Sequence, residues 1–555
     1  MRNTQHAGTR WFRLGVMAIS IGLIGGLSGC EDDGSGGQPG DGSSHHGGSG
    51  RLAVDIFGNR GGVLTAVPSG LCLGEPRVLW SNGVRGFSTD DNTPDQPLTA
   101  SVSCGWVSAS QTLVPQNVFS APSVFAVLKA DRTLAVWGSR RLGGDTSALP
   151  AQPKDVVAVA GNERAMAALQ ADGTIIGWGR AGSGASFAGP VGIGSADSTS
   201  PVAPLGKVAK LWPTKRGFVA LNSDGSASSW GNIETTFDGN GGSKSISSYF
   251  DAARLAAFKD VASVSHNLGA VALLKKDGSV LAFGDPNSGG DASPLAAKLN
   301  NVASIAATDY NFAALKKDGS VVVWGLNWDG QTSDYYDGSE PMPAGVSTVQ
   351  TNLNVFAALK QDGSVATIGS AYFDRGADTG PVAAKLTGVA KLYASKTAFA
   401  ALRKDGSVVT WGDGARNDAS AVQHQLNRVR SITATELAFA ALRQDGSVVT
   451  WGDELRGGDS SAVRHRLRDV VAVFANDYAF AALKADGSVV TWGAPTHGGD
   501  SSAVRSRLVN IRAIYSTPLG GFLAVAKDGK FVAWGSPSAG GNAPAGLAAI
   551  PYVKN

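Results

Sequence analysis

From about residue 116 to the C-terminus, short apolar runs alternate with polar turns in one recurring order. The clearest copy runs Ala398-Phe399-Ala400-Ala401-Leu402, then Asp405-Gly406, then Ser407-Val408-Val409-Thr410-Trp411-Gly412. The same phrase returns from Phe439 to Gly452 and from Phe480 to Gly493. Asp-Gly between two apolar runs predicts a β-hairpin, because a two-residue turn that matches strand twist needs positive φ, which Gly and Asp tolerate. A third apolar run lies upstream, as in Val429 to Ile432 and Val470 to Phe474, so each unit holds about three strands. Looser copies place their Asp-Gly at Asp172, Asp224, Asp277, Asp318, Asp362 and Asp528, and a first copy reads Asp131-Arg132. Successive aspartates are 41, 52, 53, 41, 44, 43, 40, 41 and 42 residues apart. Ten units of about 41 residues, two of them lengthened by insertions, therefore make up this part of the chain.

Strands this continuously apolar need cover on both faces, which a single hairpin cannot give itself and stacked copies can. A unit of this size ending in Trp-Gly matches a propeller blade, so the predicted fold class is all-β, a β-propeller of about ten repeats. An open β-solenoid would have shorter coils and no need of an Asp-Gly hairpin in every unit. The repeated Ala-Leu-x-x-Asp-Gly-x-Val-x-x-Trp-Gly phrase, together with Gly325-Leu326-Asn327-Trp328-Asp329-Gly330-Gln331, resembles the regulator of chromosome condensation repeat family. The likeness is to its bacterial branch, especially the propeller-type β-lactamase inhibitor proteins, and covers roughly residues 116–555. Most other units depart from the Gly-x-Asn-x-x-Gly-Gln loop and carry Gly-Gly-Asp, as at Gly457-Gly458-Asp459 and Gly498-Gly499-Asp500, where Asp or Ser suits the cap of a short helical turn. The family's usual ring has seven blades, which leaves two arrangements open. Seven units over 255–555 close a ring beside three N-terminal units over 116–254, or all ten share one larger ring. The tail from Leu547 to Val553 reads as a first strand able to close either. Residues 51–115 do not fit the repeat and read as a small β region.

The N-terminus changes the picture of where such an array would work. Arg2, Arg10 and Arg13 precede an uncharged run from Leu14 to Leu27, the length of a signal-peptide core and short for a bilayer span. Leu27-Ser28-Gly29-Cys30 resembles the lipobox of bacterial lipoproteins, which implies that residues 1–30 are a signal and that Cys30 carries lipid at the mature N-terminus. Residues 31–50 are rich in Gly, Ser and Asp and read as a tether, with a reach on the order of 25 Å. The expected location is the bacterial cell envelope, lipid-anchored and extracytoplasmic, with the outer membrane or cell surface favoured. Cys72 and Cys104 remain as a pair in a compartment where disulfides form.

The formal charge of +3 equals the three arginines of the signal, so the rest of the chain is neutral. That argues against a nucleic-acid binder, whose affinity would rest on a dense basic surface. The 74 glycines fit a tether plus many turns.

Little of this composition suggests catalysis. Ten aspartates at equivalent turns each have a structural reason to be there. Trp closes eight units while Phe283 and Ile368 replace it in two, and that interchange indicates core packing. Three of the histidines, His424, His465 and His497, fall in what read as equivalent linkers, with no HExxH, Gly-x-Ser-x-Gly or phosphate-loop motif near them. Asp329, Asp334, Asp337 and Glu340 lie close together but lack the spacing of a calcium loop. No catalytic residue, metal or cofactor is expected.

Loops that break the repeat are better candidates for function: 179–208, 231–259, Trp328 to Tyr336, and Tyr372-Phe373. Exposed Trp and Tyr on a rigid ring serve as binding anchors, so Trp328, Tyr335, Tyr336, Tyr372 and Phe373 form a candidate rim. The expected function is non-enzymatic binding of a protein or a surface glycan through that rim. Inhibition of an extracytoplasmic enzyme, which the resemblance implies, and a polysaccharide-acting propeller enzyme are the alternatives.

Overall fold

A computed structural model describes residues 51–554 apart from 73–74, 148, 150, 181–182, 184–205, 235–242, 250–251, 327–334, 337–341, 370–375, 415–416, 548 and 551–552. The signal, Cys30 and the tether lie outside the described residues. Residues 50–555 form one compact unit.

Ten antiparallel sheets follow one another among the described residues, one per sequence unit, eight of three strands and two (the third and fifth) with a fourth, and each is a blade of a β-propeller. The eighth blade shows the plan: Val429–Ala434, Ala438–Arg443 and Val448–Gly452 pair in chain order. Period two explains the middle strands. In the seventh blade Phe399 and Ala401 pack back onto Val355, Ala357 and Leu359 of the sixth, while Ala398, Ala400 and Leu402 pack forward onto Phe439 and Ala441 of the eighth. The alanines let neighbouring sheets approach, and the space left is filled by a Phe–Trp pair such as Phe439 and Trp451, with ring centroids 5.2 Å apart.

The same core recurs at every junction, and the last joins the first. Ala513, Leu523, Val525 and Ala533 of the tenth blade pack against Phe125, Val127 and Trp137 of the first. Trp137 Nε1 donates to Gly540 O at 2.9 Å, just as Trp492 Nε1 donates to Gly457 O at 3.0 Å within the array. The larger ring is therefore the arrangement found. The junction of the third and fourth blades is packed like the rest, through Val219 and Ala227 against Phe258, Val271 and Phe283. Position 254/255 thus falls between two neighbouring blades of a single ring.

The turn chemistry differs from expectation. Gly406 N donates to Arg403 O and Arg403 N to Ser407 O, a tight turn followed by a bulge, and only Gly406 sits at positive φ (80°). Asp405 contributes instead through its carboxylate, which accepts from Ser407 N (2.9 Å) and Ser407 Oγ (2.6 Å).

Residues 51–115 form two further sheets. One holds β1 (Ala53–Phe57), β2 (Val63–Ser69) and β4 (Ser88–Asp90); the other holds β3 (Arg77–Trp80), β5 (Leu98–Cys104) and β6 (Val107–Leu113). Cys72 and Cys104 are joined by a disulfide with Cα atoms 5.5 Å apart. The chain's tail does not close a blade: Val553–Lys554 pairs with β6 and extends the second sheet.

Candidate functional site

Each blade's first strand runs toward the turn that leads into its second, and these turns gather at one mouth of the ring. Backbone hydrogen bonds link them into a belt: Leu268 N to Asp309 O, Asp309 N to Leu353 O, Leu353 N to Lys396 O, Lys396 N to Glu436 O, Glu436 N to Asp477 O, Asp477 N to Pro518 O, and Leu519 N to Pro122 O. Glu163 N to Lys215 O continues it between the second and third blades. Asn162, Asn267, Thr308, Asn352, Ser395, Thr435 and Asn476 each cap their turn by accepting from the backbone N three residues on, and the side chain after the cap differs from blade to blade.

On one side of the mouth stand Lys396, Glu436, Arg456 and Asp477, around a cavity of about 570 Å³ lined also by Asn352, Ser395 and Asn476. Lys396 Nζ lies 2.7 Å from Glu436 Oε1, and Arg456 Nε lies 3.0 Å from Glu436 Oε2. Burial works against the Glu436 charge, but its hydrogen bonds from Lys396 and Arg456 outweigh that and hold its pKa below the ordinary value. Asp477 is different: burial dominates, Lys396 is 3.9 Å away, and its pKa is raised. Arg456 also covers the Tyr478 ring, which packs against His497 with centroids 4.4 Å apart. Across the mouth, at the second and third blades, Glu163 lies 3.2 Å from Lys215 and 3.9 Å from Arg216, and the charges of Arg164 and Arg180 act on Arg216. Burial and then the Arg164 charge push the Arg216 pKa down. His266, at the end of the fourth blade's first strand, faces this basic side, and its pKa is lowered by the surrounding protein and by Lys215.

The opposite mouth carries the Asp-Gly turns and receives the first N-terminal sheet. Asp55 bonds Arg512 (3.2 Å) and Lys527 (2.8 Å), Asp90 bonds Lys391 (3.0 Å), and Thr65 Oγ1 donates to Val471 O.

Of the five aromatic rim candidates, Trp328, Tyr372 and Phe373 lie outside the described residues, as do Asp329, Asp334, Asp337 and Glu340. Tyr335 and Tyr336 form a fourth strand on the fifth blade, paired with Leu326 and Gly325. His424 and His465 occupy equivalent turns, but His497 belongs to the preceding turn and faces the mouth. The Gly-Gly-Asp loops, read as helix caps, have a second role that sequence reasoning missed. The first Gly offers its carbonyl to the next blade's Trp, at Gly143–Trp178, Gly289–Trp324, Gly457–Trp492 and Gly498–Trp534, and Gly376 of a Gly-Ala-Asp loop does the same for Trp411. A separation of 35 or 36 residues was the signal available. Among the described residues no group of three or more His, Cys, Asp or Glu is placed to hold a metal ion.

The sequence profile of the Regulator of chromosome condensation (RCC1) repeat matches residues 302–331, one hairpin and its Trp-Gly in the fifth blade. No curated protein matches the chain by sequence. Among solved structures it is similar to Prp20p from Saccharomyces cerevisiae (17% identity, 63% of this chain and 84% of that one, TM-score 0.30). It is also similar to the CRINKLY WD40 ectodomain of the Arabidopsis thaliana receptor kinase ACR4 (16%, 50% and 92%, 0.28) and to human WBSCR16 (15%, 47% and 83%, 0.28).

Proposed function

We propose that this chain is a membrane-anchored, non-enzymatic β-propeller that docks a protein partner on the mouth where its charged turns gather. The observation that carries the reading is the contrast within that mouth: a hydrogen-bonded belt presents Arg164, Arg180, Lys215 and Arg216 with one carboxylate, Glu163, on one side, and a balanced set of Lys396, Arg456, Glu436 and Asp477 opposite. Segregated charge on a fixed frame steers and orients a partner of complementary pattern. The opposite mouth is lined by locally satisfied turns and holds the N-terminal sheet, so it has less to offer. A lipid on Cys30 and a Gly/Ser-rich tether over 31–50 would present the ring outside a bacterial cytoplasmic membrane, and Trp328, Tyr336 and Tyr372 are candidate aromatic contacts of the same partner.

Crosslinking and capture from envelope extract, with the full chain as bait, tests the reading. Arg164→Glu with Lys215→Glu should abolish capture of a protein that wild type and a Lys317→Glu, Lys404→Glu variant of the Asp-Gly face both retain. Equal capture by all three baits refutes it; loss on Trp328→Ala or Tyr336→Ala assigns the aromatic loops to the same interface. Capture that polysaccharide competes away would identify a glycan ligand instead.

A further inference from the structure

A second cavity, of about 630 Å³, lies inside the ring between the first N-terminal sheet and the first strands of the seventh to ninth blades. It shares Ala475 and Ser516 with the wall of the mouth cavity, so the two adjoin. Arg430 lines it. One of its nitrogens, Nη2, donates to Val471 O at 2.6 Å and weakly to Val470 O at 3.4 Å; Nε and Nη1 bond no protein atom among the described residues. No carboxylate there pairs with this guanidinium: Asp90, the acid in the cavity wall, is held by Lys391 at 3.0 Å. Burial alone pushes its pKa down. A half-buried cation with open donors and no carboxylate partner is well placed to take up an anion. Its planar fork is shaped for a carboxylate.

The rest of the wall has the opposite polarity. Thr65, Thr433 and Ser516 donate their hydroxyl protons to Val471 O, Val473 O and Ala475 O, which leaves oxygen lone pairs toward the cavity. Tyr393 adds an aromatic ring whose phenol, pushed up to about 12 by burial, stays neutral. Donors at one point and acceptors around it suit a molecule that carries one carboxylate and several hydroxyls. We propose that this inner cavity binds a small hydroxylated carboxylate of the sugar-acid class, seated on Arg430. The site adjoins the mouth cavity through Ala475 and Ser516 but uses none of the charged residues of the docking mouth, so it stands or falls independently of that reading.

Titration calorimetry of the full chain with glucuronate, glucose and inorganic sulfate tests this. Glucuronate should bind one to one and at least tenfold more tightly than glucose or sulfate. Arg430→Gln, and Arg430→Lys, which keeps the charge and loses the fork, should each weaken glucuronate at least tenfold. The apo protein with Arg430→Gln should melt at or above the wild-type temperature, because an uncompensated charge has been removed; a purely structural Arg430 would make it melt lower. Thr433→Val should weaken glucuronate and leave sulfate unchanged. Glucose binding as tightly as glucuronate, sulfate binding as tightly, undiminished binding by both Arg430 variants, or no glucuronate binding would each overturn the proposal.

Discussion

The two faces of the ring are built from the same strands and differ in what their turns do. On the Asp-Gly face ten turns repeat one device: each aspartate carboxylate is satisfied by the residue two positions on, from Asp131 with Thr133 to Asp528 with Lys530. On the other face a short polar side chain also caps the turn, as Asn162, Asn267, Thr308, Asn352, Ser395, Thr435 and Asn476 do, but the residue after the cap varies, reading Glu163, Lys215, Leu268, Asp309, Leu353, Lys396, Glu436 and Asp477 in order around the belt. Where a carboxylate is consumed by its own turn, repetition marks folding. Where the preceding residue caps the turn, the next side chain is released for recognition.

The strongest test concerns the frame both faces share. If the ring closes between the tenth and first blades, Trp137→Ala should destabilise as much as Trp492→Ala, by about 3–5 kcal/mol each, since both lose a packed indole and its hydrogen bond to a neighbouring blade. Denaturant unfolding of the two variants side by side checks it; a mild effect at Trp137 alone would open the ring. Gly498→Ala should cost roughly 2–4 kcal/mol, because Gly498 has φ 99° and an added Cβ would lie 2.5 Å from the Phe522 ring.

The Asp-Gly face should announce itself in acid. Asp131, Asp172, Asp224, Asp277, Asp318, Asp362, Asp405, Asp445, Asp486 and Asp528 all titrate below their ordinary value of 3.8. At nine of them hydrogen bonds from the residue two positions on are the largest cause; at Asp486 burial is larger and opposes the shift, yet the same bonds outweigh it. A carboxylate whose folded pKa is depressed contributes stability above its unfolded pKa and loses it as pH falls through the folded one. Stability should therefore hold down to about the ordinary carboxylate value and decline below it. Replacing Asp405, Asp445 and Asp486 together by Asn should flatten that decline, as melting temperatures between pH 5 and pH 2 would show; an unchanged acid limb would mean that these turns contribute nothing.

How much of this was legible in the sequence follows from the same contrast. Strands, hairpins and ten units could be read because Ala-Phe-Ala-Ala-Leu and Asp-Gly recur locally. Closure could not, because it depends on Trp137 meeting Gly540, more than 400 residues away. Asp-Gly identified the turn but not the division of labour within it, where Gly406 supplies the φ and Asp405 the acceptor. The charged mouth was missed because Lys396, Glu436 and Asp477 are isolated polar residues between apolar runs, each unremarkable until the blades stack. Nothing in the sequence singled out Arg430, since nothing in a β-strand pattern says that the strand lines a cavity.

One position departs from the Asp-Gly face's own rule and gives a smaller test. In eight of the ten blades the residue before the first strand adopts positive φ; it is Asp, Asn or Gly at Asp155, Asp260, Asn301, Gly345, Gly388, Asp469 and Asn510, but Arg428, at φ 51°, carries a long side chain there. Arg428→Gly should stabilise by about 0.5–1 kcal/mol, the relief of left-handed strain less the entropy of a new glycine, and denaturant midpoints will show it.

The smallest effect on stability is expected on the mouth. Lys396 and Glu436 form a 2.7 Å pair, but their side chains are 41% and 19% exposed, so solvent screens most of the attraction. A double-mutant cycle with Lys396→Met and Glu436→Gln should give a coupling of about 0.2–1 kcal/mol. If these groups are there for folding, the cycle should exceed that range, because Arg456 also bonds Glu436 and removal of the carboxylate leaves two cations facing each other. If they are there to meet a partner, the ring should tolerate their loss while capture on the mouth fails. The two readings separate on one pair of variants, since a group released from its own turn can be deleted cheaply from the free protein and only expensively from the complex.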